Sequence, residues 1–202
     1  MKLYYSPGAC SLSPHIVLQE AGMDFTLEKV NLRTHQTASG EDYLGINPKG
    51  YVPALELSGG ELLTEGPAIV QYVADQVPAA ALAPACGTLE RARVQEWLNF
   101  IGTELHKSFG PLFNPASSPE AKDAARNYLA RRLPVVANAL TARPYLMGEQ
   151  FTVADAYLYT VLRWTGMVGV DLTAWPSLGA FVARMNTRPA VQAALEAEGL
   201  KP

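Results

Sequence analysis

The feature that most constrains this chain is a change of pattern near residue 80. Before it, short apolar or alternating runs are interleaved with helix-like stretches. After the alanine- and proline-rich segment Pro78 to Pro84, strand signals nearly stop and helical periodicity takes over. A chain of 202 residues can form one large domain or two small ones. The break divides it into an α/β domain over residues 1–80 and an all-helical domain over residues 86–202.

In the first part, Lys2 to Tyr5 predicts a strand and Ser6 to Ala9 a turn. A helix is expected to begin near Cys10, with Ser11 and Ser13 as cap-type residues, Pro14 in its first turn and Gly22 as its stop. Phe25 to Val30 reads as a second strand, and a short helix is expected around Asp42 to Leu44. Ala54 to Leu57, Ser58-Gly59-Gly60 and Glu61 to Thr64 read as a hairpin, after which Pro67 opens a helix with Ile69, Val70, Tyr72, Val73 and Val77 on its apolar face. Strands interleaved with helices imply an α/β sheet, and the preference for right-handed crossovers leaves a thioredoxin-like half-domain as the natural candidate. In the second part, Val94, Trp97, Leu98, Ile101, Leu105 and Phe109 trace one helix pattern from Thr88 to Phe113. A second helix runs from about Pro119 to Leu140 with Pro134 expected to bend it. Thr152-Val153-Ala154-Asp155 resembles a capping box with Asp in place of Glu, and Pro176 and Pro189 open two further helices.

With 49% hydrophobic and 17% charged residues the chain can bury a core. A net charge of -3 without any run of like charges suggests neither nucleic acid nor an anionic membrane surface as partner. The N-terminus lacks the apolar run of a secretory signal and no apolar stretch is long enough to span a bilayer, so a cytoplasmic location is expected. In that reducing setting Cys10 and Cys86 are expected as thiols rather than as a bridge. No metal-ligand spacing, phosphate loop or serine triad is visible.

Three elements carry chemistry. Cys10 stands where a strand hands over to a helix, beside backbone N–H groups and the positive end of a helix dipole, both of which favour thiolate; the alternative is a small buried filler. Val52-Pro53 enters a strand: a cis bond would leave Val52 N–H and C=O available to a peptide-like ligand, and an ordinary trans proline at a strand start would not. Glu65-Gly66 precedes the helix opened by Pro67, so that the carboxylate could accept a ligand ammonium and the helix start a ligand carboxylate; their other reading is an acidic residue at a helix N-terminus and a tight turn.

Taken in order, Tyr5-Ser6-Pro7-Gly8-Ala9-Cys10-Ser11, Asn47-Pro48-Lys49-Gly50-Tyr51-Val52-Pro53-Ala54, Leu63-Thr64-Glu65-Gly66-Pro67-Ala68-Ile69, Glu96-Trp97-Leu98-Asn99, Glu104-Leu105-His106-Lys107 and Phe151-Thr152-Val153-Ala154-Asp155 resemble the beta class of bacterial glutathione transferases. The resemblance covers essentially the whole chain. It implies glutathione as co-substrate, with no metal: Cys10 faces the glutathione sulfur, Val52 before Pro53 pairs with the cysteinyl backbone, and Glu65-Gly66 hold the γ-glutamyl end. It further implies a homodimer whose site is completed by Asn99 and the stretch Thr103, Glu104, His106 and Lys107. Helical spacing puts Asn99, Thr103 and His106 on one stripe, with Lys107 about 100° away.

His106 is the second candidate catalytic residue, as an imidazole or imidazolium near a bound sulfur. His35 stands where the family often has a lysine that contacts the glycine carboxylate, and Gly66 where many members have serine. Phe109, Phe113 and Trp164 are candidates to line an apolar pocket for the second substrate, while His15, Thr152 and Asp155 read as structural and Cys86 as incidental. The implied activity is attack of the glutathione thiol on small hydrophobic electrophiles, as in detoxification, with disulfide reductase, peroxidase or dehalogenase side activity open to Cys10. The alternative is a non-catalytic interaction protein of the stringent-starvation type on the same fold.

Overall fold

The computed structural model describes residues 1–202. Its compact units are Met1–Ala83 together with Thr187–Pro202, and Pro84–Asn186. The end of the chain thus packs with the α/β part, whereas the sequence pattern groups it with the other helices.

The first unit contains β1 (Lys2–Tyr5), α1 (Leu12–Glu20), β2 (Thr26–Asn31), β3 (Gln36–Thr37), α2 (Tyr43–Ile46), β4 (Ala54–Glu56), β5 (Leu62–Thr64) and α3 (Gly66–Gln76). The strands form one sheet in the order β3-β2-β1-β4-β5. β1 and β2 are parallel, joined through α1, while β4 pairs antiparallel with both β1 and β5. This is the expected thioredoxin-like arrangement. Side chains alternate across the sheet: Tyr4 and Ala54 join Val30, Tyr43 and Val52 in one buried cluster, and Leu3 and Leu55, paired in register, point to the opposite face. β3 is a strand that the polar sequence from Asn31 to Asn47 did not signal; it is only two residues long and carries no apolar alternation.

The last helix, α9 (Pro189–Ala197), packs on α1. Arg188 grips Glu20 through two bonds, Nε at 2.6 Å and a terminal nitrogen at 2.9 Å, the fork-to-fork geometry that suits guanidinium and carboxylate. Just beyond α9, Glu198 is buried against α1: one carboxylate oxygen lies 2.8 Å from His15 Nδ1 and the other accepts the Gly8 N–H at 2.9 Å. His15 is therefore structural, as its place inside α1 suggests.

In the second unit the segment expected as one helix from Thr88 to Phe113 is regular only over α4 (Leu89–Phe100), capped by the Thr88 hydroxyl. It continues as a π-helical turn at Ile101–Leu105, a 3-10 turn at His106–Phe109 and the short α5 (Gly110–Phe113). A π turn underwinds the helix, so the stripe drawn from α-helical spacing through Asn99, Thr103 and His106 does not hold. Beyond it lie α6 (Pro119–Ala139), with Pro134 inside it, α7 (Val153–Val168) and α8 (Pro176–Asn186).

α7 is buried along nearly its whole length, the pattern of a helix surrounded by others. Its start is fixed by Asp155, fully buried, whose carboxylate accepts from the Thr152 N–H and hydroxyl at 2.8 and 2.9 Å and from the Leu146 N–H at 2.8 Å. The capping box expected at Thr152 to Asp155 is present, with the carboxylate also fastening the preceding loop. Asp155→Ala leaves these buried donors unsatisfied and is expected to lower unfolding free energy by roughly 2–4 kcal/mol. Urea denaturation checks this, and a loss below about 1 kcal/mol would remove Asp155 from its central place.

Candidate active site

Cys10 sits in the loop after β1. That loop is closed by Ser11, whose hydroxyl accepts from the Ser6 N–H at 3.1 Å and lies 3.2 Å from the Ser6 carbonyl oxygen, to which it can donate in turn. Ser11 therefore ties the turn rather than capping the helix, and α1 begins two residues after Cys10. Two of the amides that follow the thiol are paired within the loop: Leu12 N–H donates to the Ala9 carbonyl at 3.0 Å and Ser13 N–H to the Cys10 carbonyl at 3.2 Å. Cys10 Sγ instead lies 3.1 Å from the Val52 carbonyl oxygen, to which the thiol donates. It is only partly buried, so the reading of Cys10 as buried filler does not fit.

The Val52-Pro53 bond is cis. The residue before it is fastened by two donors: Tyr43 Oη and Asn47 Nδ2 each reach the Tyr51 carbonyl oxygen at 2.8 Å. A carbonyl oxygen has two lone pairs, so Val52 O can accept the Cys10 thiol and still accept an N–H from a ligand. Gly50, at φ 68°, lies under His35: a Cβ there would come within 3.1 Å of the imidazole Cε1 and of Leu44 Cδ2. His35 itself takes a positive φ of 53°, and its Nδ1 is buried without a partner.

Glu65 precedes α3 with φ 70° and ψ 113°, a backbone position that costs a non-glycine residue about 1–3 kcal/mol and gathers at ligand sites. Its exposed carboxylate is paired with Lys49, whose ammonium lies 2.9 Å from Glu65 Oε1 and 2.9 Å from Thr64 Oγ1. Gly66 has ordinary room around it, the nearest atom to an added Cβ being Pro53 Cγ at 3.8 Å.

In the second unit His106 follows the π turn. Its Nδ1 is 2.6 Å from Tyr157 Oη, and its ring meets those of Tyr157 and Trp164 edge-on at centroid distances of 5.8 and 4.8 Å. Trp164 also contacts Phe109 and Phe113, each at 5.6 Å. The three pocket candidates thus form one aromatic cluster with His106. Phe109 and Trp164 are buried in it, and Phe113, 43% exposed, is its open member. Asn99, Thr103 and Lys107 are exposed; the Thr103 hydroxyl bonds back to the Asn99 carbonyl at 3.0 Å. The Glu104 carboxylate is held by Tyr128 Oη at 2.5 Å and Arg132 Nε at 2.8 Å, so in this structure it anchors the π turn to α6. The side-chain contacts that no local sequence signal points to are those of Tyr43, Lys49, Tyr128, Arg132 and Tyr157. Tyr157 lies 51 residues from its histidine partner.

Burial, reinforced by the charge of Lys107, pushes His106 down from 6.5 to about 4. Of the two forms open to it from sequence, the neutral imidazole is the one the fold selects at pH 7. In the unfolded chain the ring protonates near its ordinary value. Between pH 6.5 and about 4 the unfolded state therefore binds more protons, and acid favours unfolding. This group alone is expected to lower unfolding free energy by about 2 kcal/mol across that window, allowing for partial solvent contact. His106→Asn should flatten that part of the urea-stability profile; an unaltered profile would show that the ring is not held neutral.

Comparison with known proteins agrees with this arrangement. Residues 8–76 match the glutathione S-transferase N-terminal domain family, and residues 100–189 match the glutathione S-transferase C-terminal domain family. The chain is 51% identical to glutathione S-transferase GstA of Escherichia coli O157:H7, over 100% of both chains. Among solved structures it is similar to a ternary complex of BphK, a bacterial GST, at 63% identity and TM-score 0.98, covering 99% of this chain and 100% of that one. It is likewise similar to a sphingomonad glutathione S-transferase complexed with glutathione, at 53% identity and TM-score 0.96 over 100% of each. With both domain families matched in order, this chain belongs to the glutathione S-transferase family.

Proposed function

We propose that this protein is a glutathione transferase that binds glutathione as co-substrate and directs its thiol at small hydrophobic electrophiles. The observation that carries the reading is the Cys10 thiol lying against the Val52 carbonyl beside the cis proline, a reactive sulfur next to an extended backbone able to pair with a peptide. Val52 and Pro53 take the cysteinyl portion. Glu65 takes the γ-glutamyl ammonium, displacing or sharing Lys49, which an exposed ion pair allows at small cost; Gly66 and the start of α3 take the adjoining carboxylate. His35 takes the place of a basic residue toward the glycine end.

From the helical unit, Asn99, Thr103 and Lys107 supply exposed polar contacts. Glu104 contributes by holding the π turn, His106 offers a neutral imidazole to an electron-rich atom of a bound substrate, and Phe113 with Phe109 and Trp164 receives the electrophile. A homodimer working in the cytoplasm completes the reading, consistent with a chain in which no helix is long and apolar enough to cross a membrane.

A cysteine at this position adds redox chemistry. Its thiolate can attack a substrate disulfide, forming a mixed disulfide with Cys10 and releasing one substrate thiolate; a glutathione thiolate then attacks the substrate sulfur, leaving a glutathione–substrate disulfide and regenerating the Cys10 thiolate. Cys10→Ala is expected to keep conjugation of glutathione to a chlorinated dinitrobenzene while lowering disulfide exchange by about a hundredfold or more. Equal loss of both would merge the two roles. Gly66→Ser fits the space present and adds a hydroxyl at the helix start, so the KM for glutathione should fall by roughly three- to tenfold; an increase would count against this placement of the γ-glutamyl carboxylate. Failure of the purified protein both to bind immobilised glutathione and to turn over electrophiles would favour the interaction-protein alternative.

A further inference from the structure

We propose that Tyr157 is a positioning residue for His106, its hydroxyl donating to Nδ1 so that the neutral ring carries its proton on Nε2 and acts as a hydrogen-bond donor. The inference rests on the proposed transferase reading for its function, and on geometry alone for its chemistry.

The Oη···Nδ1 distance of 2.6 Å is that of a short hydrogen bond, which either tautomer could make. A phenol O–H is the stronger hydrogen-bond acid and an imidazole lone pair the stronger base, so the hydroxyl is assigned as the donor and Nδ1 as the acceptor. A neutral imidazole with its lone pair engaged at Nδ1 has its single proton at Nε2. The burial that keeps the ring uncharged excludes the doubly protonated form in which Nδ1 would itself donate.

Orientation is fixed from several sides. Tyr157 and Trp164 meet the imidazole edge-on, at interplanar angles of 82° and 67°. Both lie on α7, the buried helix whose start Asp155 secures. Gly102, within the π turn, brings the backbone close to Tyr157: a Cβ there would lie 3.6 Å from Oη. The helix carrying His106 changes its winding at the preceding residue, where Leu105 has φ -103° and ψ -65°. The π turn thus sets His106 at the edge of the aromatic cluster while the hydrogen bond from Tyr128 and the ion pair with Arg132 brace Glu104 from α6.

A fixed Nε2–H has a definite chemical use. It stabilises an electron-rich atom such as a sulfur anion, a departing halide or a peroxide oxygen. It does not abstract a proton, because its basic nitrogen is occupied by Tyr157. His106 is accordingly assigned to electrostatic stabilisation rather than general-base catalysis.

The direct test is nitrogen-15 NMR of the imidazole in the intact protein at pH 7, which distinguishes protonated from unprotonated ring nitrogens. The expected result is a protonated Nε2 and an unprotonated, hydrogen-bonded Nδ1, with Tyr157→Phe producing a mixture of tautomers. A wild-type ring protonated at Nδ1, or a tautomer unaffected by Tyr157→Phe, overturns the proposal. In kinetics, Tyr157→Phe should lower kcat with an electrophile about tenfold, equivalent to one misdirected hydrogen bond, with the KM for glutathione within about twofold. His106→Gln, which keeps an N–H donor, should retain more activity than His106→Phe. Equal loss in those two variants overturns the donor role. The expected tautomer in a protein without transferase activity would uphold the positioning assignment and overturn the proposed function.

Discussion

The first unit's site depends on how the Tyr51 carbonyl is held. Tyr43 and Asn47, both almost fully buried, aim their donors at that one oxygen. Buried donors of this kind lose more when orphaned than they gain when paired, so the loop from Asn47 to Pro53 cannot shift without leaving two of them unsatisfied. The next residue is Val52, whose carbonyl receives the Cys10 thiol. Tyr43 is in turn packed on Tyr4 of the central strand, with ring centroids 5.5 Å apart. Sheet, short helix, loop and sulfur form one chain of contacts in which each member limits the freedom of the next.

The second unit reaches a comparable rigidity by another route. Asp155 fixes the start of α7, and α7 carries Tyr157 and Trp164 to the imidazole. The opposing helix meets them with an underwound turn instead of a regular one, and such turns recur at functional sites because they redirect one or two side chains without breaking the helix. Each unit keeps its working group at a junction where backbone regularity changes: Cys10 before a helix, Glu65 at a strained cap, His106 after a π turn.

Much of this was legible in the sequence because it is local. Proline at the start of α3, α6, α8 and α9, glycine after α1 and the Thr152–Asp155 box are short-range signals, and each marks an element boundary in the structure. Cys10, Val52-Pro53 and Glu65-Gly66 were legible as a set for the same reason. What was hidden is nonlocal or has no distinct pattern. A π turn keeps the apolar spacing of an α-helix closely enough that Ile101 and Leu105 look like any buried pair. Tyr157 is 51 residues from His106 in sequence, and Arg188 is 168 from Glu20, so neither pairing, nor the return of α9 to the first unit, could be read from periodicity. Near Cys10 the loop's own carbonyls take the Leu12 and Ser13 amides, a pairing that the sequence pattern does not reveal.

The Cys10 thiol donates to a carbonyl, and burial keeps the His106 imidazole uncharged. A neutral donor whose direction is already set avoids the large desolvation penalty of a buried counter-ion. The cost of orientation is met at folding, by the Tyr51 clamp in one unit and by α7 in the other. The Glu65–Lys49 pair is exposed, where water keeps exchange of one cation for another inexpensive.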